Sequence, residues 1–531
     1  MLLQSFVRLV GKRACYQAGP TMLQMGRKYT TEEHEKITFS TAVNEEYEKS
    51  IKALNTLQSN AATLRRSIEN DSKNSQLENT IKYLNRSGIS VEDLKKLSVI
   101  HVSGTKGKGS TCALTESILR AHGFKTGFFS SPHLISVTER IRLNGQPVSK
   151  QKFTKTFWNV FNRLEKSRDH ADDMPPYFKF LTILSFHIFL KERVDVVVLE
   201  VGIGGELDST NVVSHTKTVG ITSLGLEHTQ LLGNTIEAIA WQKAGIIKPN
   251  SNVYTAVTRP ECLSIIKQRA AEKNATLYIV PEFSQYVYND ESRRLLSNLN
   301  KVIQLNGSLA IQLAYDWIRN NRSGYGFGTA PNTTLITQSV IEGLSNCSWP
   351  GRCQIVNVCN FRIHFDGAHT VESMSLCGSW FKKATLQSQA PKILIFNTTG
   401  ERDSQKLLDI LSQKNDFDLA CFVPNIPSGR LNNTDNMSVF TIAAQVKRAK
   451  IHADNWRLLC QDNAGPDNCV VCGSILDIFY FVRHKFGIVQ EVDLLVTGSL
   501  HLIGAAMLAM DEFKRRLEQT DICIQSRHTH P

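Results

Sequence analysis

Apolar positions along the chain fall into short runs separated by amphipathic stretches. From residue 97 the runs Val99–Val102, Gly127–Phe129, Val194–Leu199, Val219–Thr222, Val253–Val257 and Leu277–Val280 alternate with segments of helical period. Unbroken apolar runs suit strands buried on both faces, and their alternation with helices predicts a mostly parallel, doubly covered sheet. A second block has the same character, with Cys353–Val358, Phe361–Phe365, Ile393–Asn397, Leu419–Val423 and Leu494–Thr497 as its strands. Between the blocks, residues 319–350 carry Asn, Gly, Pro and Ser and read as the crossing between two domains. Residues 46–96 are polar with a helical pattern and are predicted to cover one face of the first domain. Residues 425–436 and 461–468 read as polar loops. The most apolar segment, Phe178–Leu190, is too short to span a bilayer and carries Lys179 and His187, so it reads as a core helix.

Composition narrows the picture. The 531 residues are 41% hydrophobic and 21% charged, which excludes a disordered or fibrous chain and exceeds one core. The net charge is +12, and five cations (Arg8, Lys12, Arg13, Arg27, Lys28) precede the first acid, Glu32. An Arg-bearing, acid-free segment over residues 1–31 reads as a mitochondrial transit peptide, with Arg27-Lys28-Tyr29-Thr30 as its processing region. Met22 and Met25 offer internal starts for a cytoplasmic form. No Lys/Arg cluster follows, so small anionic ligands account for the remaining charge better than nucleic acid. The twelve cysteines are scattered, and Cys469-Val-Val-Cys472 has no second pair, which favours reduced thiols over disulfides or zinc.

The first strong chemical signal is a strand, a glycine-rich loop and a helix in succession. Val99-Ile-His-Val102 leads into Ser103-Gly104-Thr105-Lys106-Gly107-Lys108-Gly109-Ser110-Thr111, followed by a helix with Leu114, Ile118 and Ala121 on one face. Glycines let backbone N–H groups turn toward a phosphate, and the helix start adds positive potential. Lys108 can meet the β/γ-phosphates of a nucleotide. The spacing is Gly-x-x-Gly-Lys, with Gly instead of Ser or Thr after the lysine, so the strict eight-residue pattern is not met. A second signal is Glu200, at the end of an almost wholly apolar strand and before Val201-Gly-Ile-Gly-Gly205. A carboxylate there lies where open α/β sheets bind ligands and suits Mg²⁺ beside a triphosphate. His228 follows another predicted strand. Lys243 lies on a helix whose apolar face carries Ile236 and Ile239; taken alone it reads as a surface lysine.

Together, Gly104-Thr-Lys-Gly-Lys-Gly-Ser110, Ser130-Ser-Pro-His-Leu134, Glu200-Val-Gly-Ile-Gly-Gly205, Leu224-Gly-Leu-Glu-His228, Trp349-Pro-Gly-Arg352, Asp366-Gly-Ala-His369 and Thr497-Gly-Ser-Leu-His501 resemble the folylpolyglutamate synthase family of the Mur ligase superfamily. The motifs follow the family's order from residue 97 to about 510. Met174-Pro-Pro-Tyr-Phe178 and Asn397-Thr-Thr-Gly-Glu-Arg402 resemble its eukaryotic branch. The resemblance implies an α/β fold in two domains: a P-loop NTPase-like, Mur ligase central-type domain over residues 32–340, and a smaller Rossmann-like domain over 341–531. It implies an ATP-dependent ligase that joins L-glutamate to the γ-carboxylate of reduced folates through an acyl phosphate. Gly104, Thr105, Lys106, Gly107, Lys108, Gly109, Ser110, Asn306, Arg352 and Asp366 would contact ATP. Ser131, Glu200 and His228 match magnesium-site positions for one or two Mg²⁺, with K⁺ as a further ion. Lys243 matches a lysine carbamylated in many relatives; it, Lys108, Asp366 and His369 are the catalytic candidates. Arg140, within a loop over Ser131–Gly145, together with Tyr177, Ser499 and His501, would meet folate or glutamate. The resemblance further implies a monomer in the mitochondrial matrix, associated with the inner membrane, and in the cytoplasm. One departure is that Val302 and Ile303 stand where bacterial relatives carry His-Gln, leaving Asn306 as the retained part of that motif. Thr370 follows His369 where bacterial relatives commonly have Asn. Dihydrofolate synthase, a non-catalytic nucleotide- or folate-binding paralogue and a generic P-loop ATPase are the alternatives.

Overall fold

The computed structural model describes residues 31–58, 75–287, 301–322, 331–399, 402–429, 435, 441–460 and 468–528. All but the last residue of the transit-peptide reading over residues 1–31, and most of the two polar-loop readings, lie outside them. The chain divides into two compact units, residues 1–46 and 47–531. In the first, residues 31–46 are helical. The second contains two sheets.

The first sheet comprises β1 (Val99–Ser103), β2 (Thr126–Phe129), β3 (Ile141–Leu143), β4 (Gln146–Pro147), β5 (Val196–Glu200), β6 (Thr218–Ile221), β7 (Asn252–Thr255) and β8 (Thr276–Ile279). Their order is β4-β3-β2-β5-β1-β6-β7-β8. Pairing is parallel from β2 to β8, and β3 and β4 add an antiparallel edge. Alternate residues of β5 enter different cores. Val197 and Leu199 pack with the Lys150–Lys166 and Tyr177–Glu192 helices, whereas Val196 and Val198 pack with the Lys108–Ala121 and Lys301–Asn321 helices. Burial on both faces is why these strands read as continuous apolar runs.

The second sheet comprises β9 (Gln354–Val358), β10 (Phe361–Asp366), β11 (Lys392–Phe396), β12 (Leu419–Phe422), β13 (Cys469–Val471) and β14 (Val492–Thr497), ordered β13-β12-β11-β14-β10-β9. Only the β9–β10 pair is antiparallel.

Two expectations are corrected. Residues 319–350 are not simply a crossing: Gln338–Ser345 is a helix capped by the Thr337 hydroxyl. It belongs to the first core, because Gly343 backs so closely onto Ile118 that a Cβ would lie 2.6 Å from the Ile118 Cα. The second part of the supposed loop over Ser131–Gly145 is ordered as the 3₁₀ turn Val137–Arg140 and β3. Among the described residues, no helix is long and apolar enough to cross a membrane.

Candidate active site

Strand register sets the site. Val102 of β1 pairs with Glu200 of β5, and Ser103 pairs with Ile221 of β6. Three adjacent parallel strands therefore end together, beside the point where the chain's path across the sheet reverses direction, and their loops share one crevice. The loop after β1 turns at Gly104, φ +144°, and Gly107, φ +88°. A Cβ at Gly104 would lie 1.8 Å from the Thr222 hydroxyl oxygen, and one at Gly107 2.2 Å from Asn306 Oδ1. Thr105 N donates to Ser223 O at 2.9 Å, tying the loop to the segment after β6. The helix then starts at Lys108, so Gly109 and Ser110 occupy its first turn, where backbone N–H groups lack intrahelical partners. Asn306 accepts from the Thr111 hydroxyl at 3.3 Å.

Two lysines converge on one backbone oxygen. Lys108 Nζ donates to Gly104 O at 3.0 Å and Lys243 Nζ donates to it at 2.7 Å. Lys243 is 2% exposed, so its reading as a surface residue is corrected. Its helix, Ile236–Ala244, is short and packed along Ile239, Ala240 and Ala244, which carries the side chain inward. Burial, reinforced by the Lys108 charge, pulls the Lys243 pKa down to about 7. Glu200 is also buried, and desolvation pushes its carboxyl up to about 7 against the pull of Lys108, the Ser131 N–H and Arg352. Ser131 N donates to Glu200 Oε2 at 3.1 Å. His228 adopts a left-handed backbone, φ +52°, a strained conformation for this residue type. Burial lowers its proton affinity, and Lys243 and Lys108 contribute.

The second domain supplies the opposite wall. Asp366 closes β10 beside Thr497 of β14. Its Oδ2 accepts from Cys353 N at 2.9 Å and its Oδ1 from Ala368 N at 2.9 Å. Arg352, next to Cys353, joins Ser110, Ser131, Glu200, Arg142 and Trp349 around a cavity of about 70 Å³. Leu134, from the loop that carries Ser131, is buried in the second domain's core. The Leu500–His528 helix accommodates that insertion at Gly504, where a Cβ would lie 1.9 Å from Leu134 O.

The remaining candidates separate. Arg140 stacks over the Tyr177 ring at 5.4 Å and donates to His133 Nδ1 at 2.9 Å. His501 lies within electrostatic reach of Arg140 and Arg402. Ser499 is 1% exposed, and its hydroxyl accepts from Leu502 N, which makes it a helix cap. His369 is bound across the cleft: Lys106 Nζ lies 2.9 Å from its Nε2 and 2.7 Å from Glu227 Oε1. Glu227, Arg142, His133 and Arg402 carry no role in the sequence reading. Glu227, His133 and Arg402 stand inside motifs that were already conspicuous, but pairing partners more than a hundred residues away is invisible in a linear pattern.

Among the described residues no three His, Cys, Asp or Glu side chains form a metal centre by themselves. Glu200 offers a buried carboxyl group beside the phosphate loop. This suits Mg²⁺, which takes one or two carboxylates and completes its shell with phosphate oxygens and water.

No family model matches the chain. It is 41% identical over 445 residues to human "Folylpolyglutamate synthase, mitochondrial", covering 80% of this chain and 75% of the relative. It is 36% identical over 492 residues to folylpolyglutamate synthase of Saccharomyces cerevisiae, covering 88% of each. Among solved structures, E. coli FolC in complex with DHPP and ADP aligns with a TM-score of 0.61 at 26% identity, over 83% of this chain and 93% of that one.

Proposed function

The chain belongs to the folylpolyglutamate synthase family, and on that footing we propose how its cleft performs the family's reaction. It is an ATP-dependent ligase acting on folates, with a two-domain α/β fold. We divide it into residues 1–31 as a transit peptide, 32–340 as the ATP- and folate-binding domain and 341–531 as the glutamate-ligase domain. The location is mitochondrial; starts at Met22 or Met25 would add a cytoplasmic form. The protein acts as a monomer on reduced folate, ATP and L-glutamate.

The observation that carries this reading is the meeting of the phosphate loop, to which Lys243 is bonded, and Glu200 with Arg352 across one cleft. In the reaction the folate γ-carboxylate oxygen attacks the γ-phosphorus of ATP and ADP leaves. The glutamate amine nitrogen then attacks the acyl-phosphate carbon, loses a proton and expels phosphate, leaving a γ-linked amide. A carboxylate is a poor electrophile, so the protein's task is charge neutralisation and positioning. Lys108 and the first-turn N–H groups of its helix would hold the phosphates, with Arg352 opposing them from the second domain. Glu200, Ser131 and His228 would hold Mg²⁺, which supplies Lewis-acid neutralisation of phosphate charge. Inserting Leu134 into the second domain ties the Ser131 loop to the opposite wall, which supports exclusion of water from the acyl phosphate.

Lys243 is suited to carbamylation. Carbon dioxide adds only to a neutral amine, releasing a proton, and a lysine with a pKa near 7 is substantially neutral at physiological pH. The product is an anion beside Lys108. Enzyme stripped of carbon dioxide is expected to lose activity and to recover it on adding bicarbonate, faster above pH 7 than below. Activity indifferent to bicarbonate would remove this assignment.

The pH dependence of stability has a definite sign. The folded-state pKa of Glu200 is raised from 4.5, so the metal-free protein loses stability as pH climbs from about 4.5 through about 7. Lys243 is lowered from 10.5, so its burial costs most below about pH 7 and is relieved as pH rises toward 10.5. Thermal melting in EDTA, compared with Glu200→Gln, should show the difference between the two proteins growing through the first window. A flat difference would contradict the assigned burial.

A further inference from the structure

Three loops meet at Lys106. Its ammonium donates to Glu227 Oε1 at 2.7 Å, on the segment after β6, and lies 2.9 Å from His369 Nε2, on the loop after β10. His369 Nδ1 lies 2.7 Å from Gly367 O, which can only accept, so Nδ1 carries the proton and Nε2 is the acceptor for Lys106. Glu227 Oε1 is 3.8 Å from Nε2, too far for a direct hydrogen bond. The lysine bridges the two at hydrogen-bond distance, and the carboxylate also lies within ion-pair range of the ring. The segment that leads to Glu227 is tied to the phosphate loop. The phosphate loop is bonded to Ser223 and Gly225 through Thr105, and the Ser223 hydroxyl donates to Lys106 O at 3.1 Å.

Resting on the ligase reading above, we propose that Glu227 is a positioning residue that turns Lys106 away from the phosphates and makes it a strut to His369 across the two domains. The two loop lysines then have different tasks. Lys108 folds onto its own loop, at Gly104 O and Thr105 O, where a nucleotide's phosphates would lie. Lys106 instead spans the cleft. Glu227 is the carboxylate paired with it, while Lys108 and Arg402 repel it. Without that carboxylate, Lys106 is left among cations and His369 loses its donor. The second domain is then held less well against the phosphate loop, and water reaches the acyl phosphate.

The test compares wild type, Glu227→Gln, Glu227→Asp, His369→Gln and the Glu227→Gln/His369→Gln double variant. Each is assayed for glutamate incorporation and ADP release, with melting curves to verify folding. Glu227→Gln should lower kcat about 10- to 100-fold, the scale of a misplaced reacting group, while changing KM for ATP less than about 3-fold. ADP released per glutamate joined should rise above the wild-type ratio, a readout that loss of fold alone would not produce. Glu227→Asp should recover part of the rate, and the double variant should be no worse than the poorer single one. The proposal is overturned if Glu227→Gln keeps wild-type turnover and stoichiometry, if it raises KM for ATP as much as it lowers kcat, or if the two single losses add. Absence of ligation in the wild-type control would instead count against the ligase reading itself.

Discussion

Replacing Lys108 with alanine is expected to reduce ligation by ~10³-fold or more, about 4 kcal/mol of transition-state stabilisation. The side chain extends from the first residue of a helix that follows a loop turned at Gly104 and Gly107. Its Nζ is held by Gly104 O and Thr105 O, so the ammonium is pre-aimed and little rotamer entropy remains to be lost when phosphates arrive. The loss should appear in kcat, because charge on the transferring group is greatest in the transition state. Isotope incorporation at saturating ATP measures it, and near-normal turnover would remove the phosphate assignment from this loop. The fold should survive, since Lys108 is not part of either apolar core.

Glu200→Gln should separate activity from stability. The substitution keeps shape and removes only charge. We expect ligation to fall ~10²- to 10³-fold, the scale seen when one preorganised electrostatic partner is lost. Metal-free protein above pH 7 should at the same time melt higher than wild type. The raised carboxyl pKa means that desolvation outweighs the attraction of Lys108 and Arg352, so ionised Glu200 weakens the fold. Added Mg²⁺ should stabilise the wild type and leave the variant nearly unchanged. A parallel loss of melting temperature and activity would make Glu200 a structural residue.

The large architecture was legible because its strands are buried on both sides. Val196–Glu200 has no exposed residue and therefore no polar interruption to blur it. Strands β3, β4 and β13 escaped because they have two or three residues each and lie at or near sheet edges, too short to show a period. Within the site, Gly104, Lys108 and Glu200 stood out from local chemistry alone, since a glycine-rich turn and a carboxylate ending an apolar run are unusual in themselves. Lys243 did not, because a lysine on a short amphipathic helix looks solvated until the helix is docked. The contacts that cross the cleft, Lys106 with His369 and Leu134 with Gly504, arise from segments hundreds of residues apart. Nothing in either segment names the other.

The most direct test of the central claim is a stoichiometric assay of the purified protein with tetrahydrofolate, Mg-ATP and radiolabelled glutamate, with products resolved by chromatography and ADP measured in the same samples. The account predicts label in folates bearing two or more glutamates, with one ADP released for each glutamate joined. Nucleotide binding without incorporation into tetrahydrofolate, or incorporation only when dihydropteroate is supplied, would contradict it.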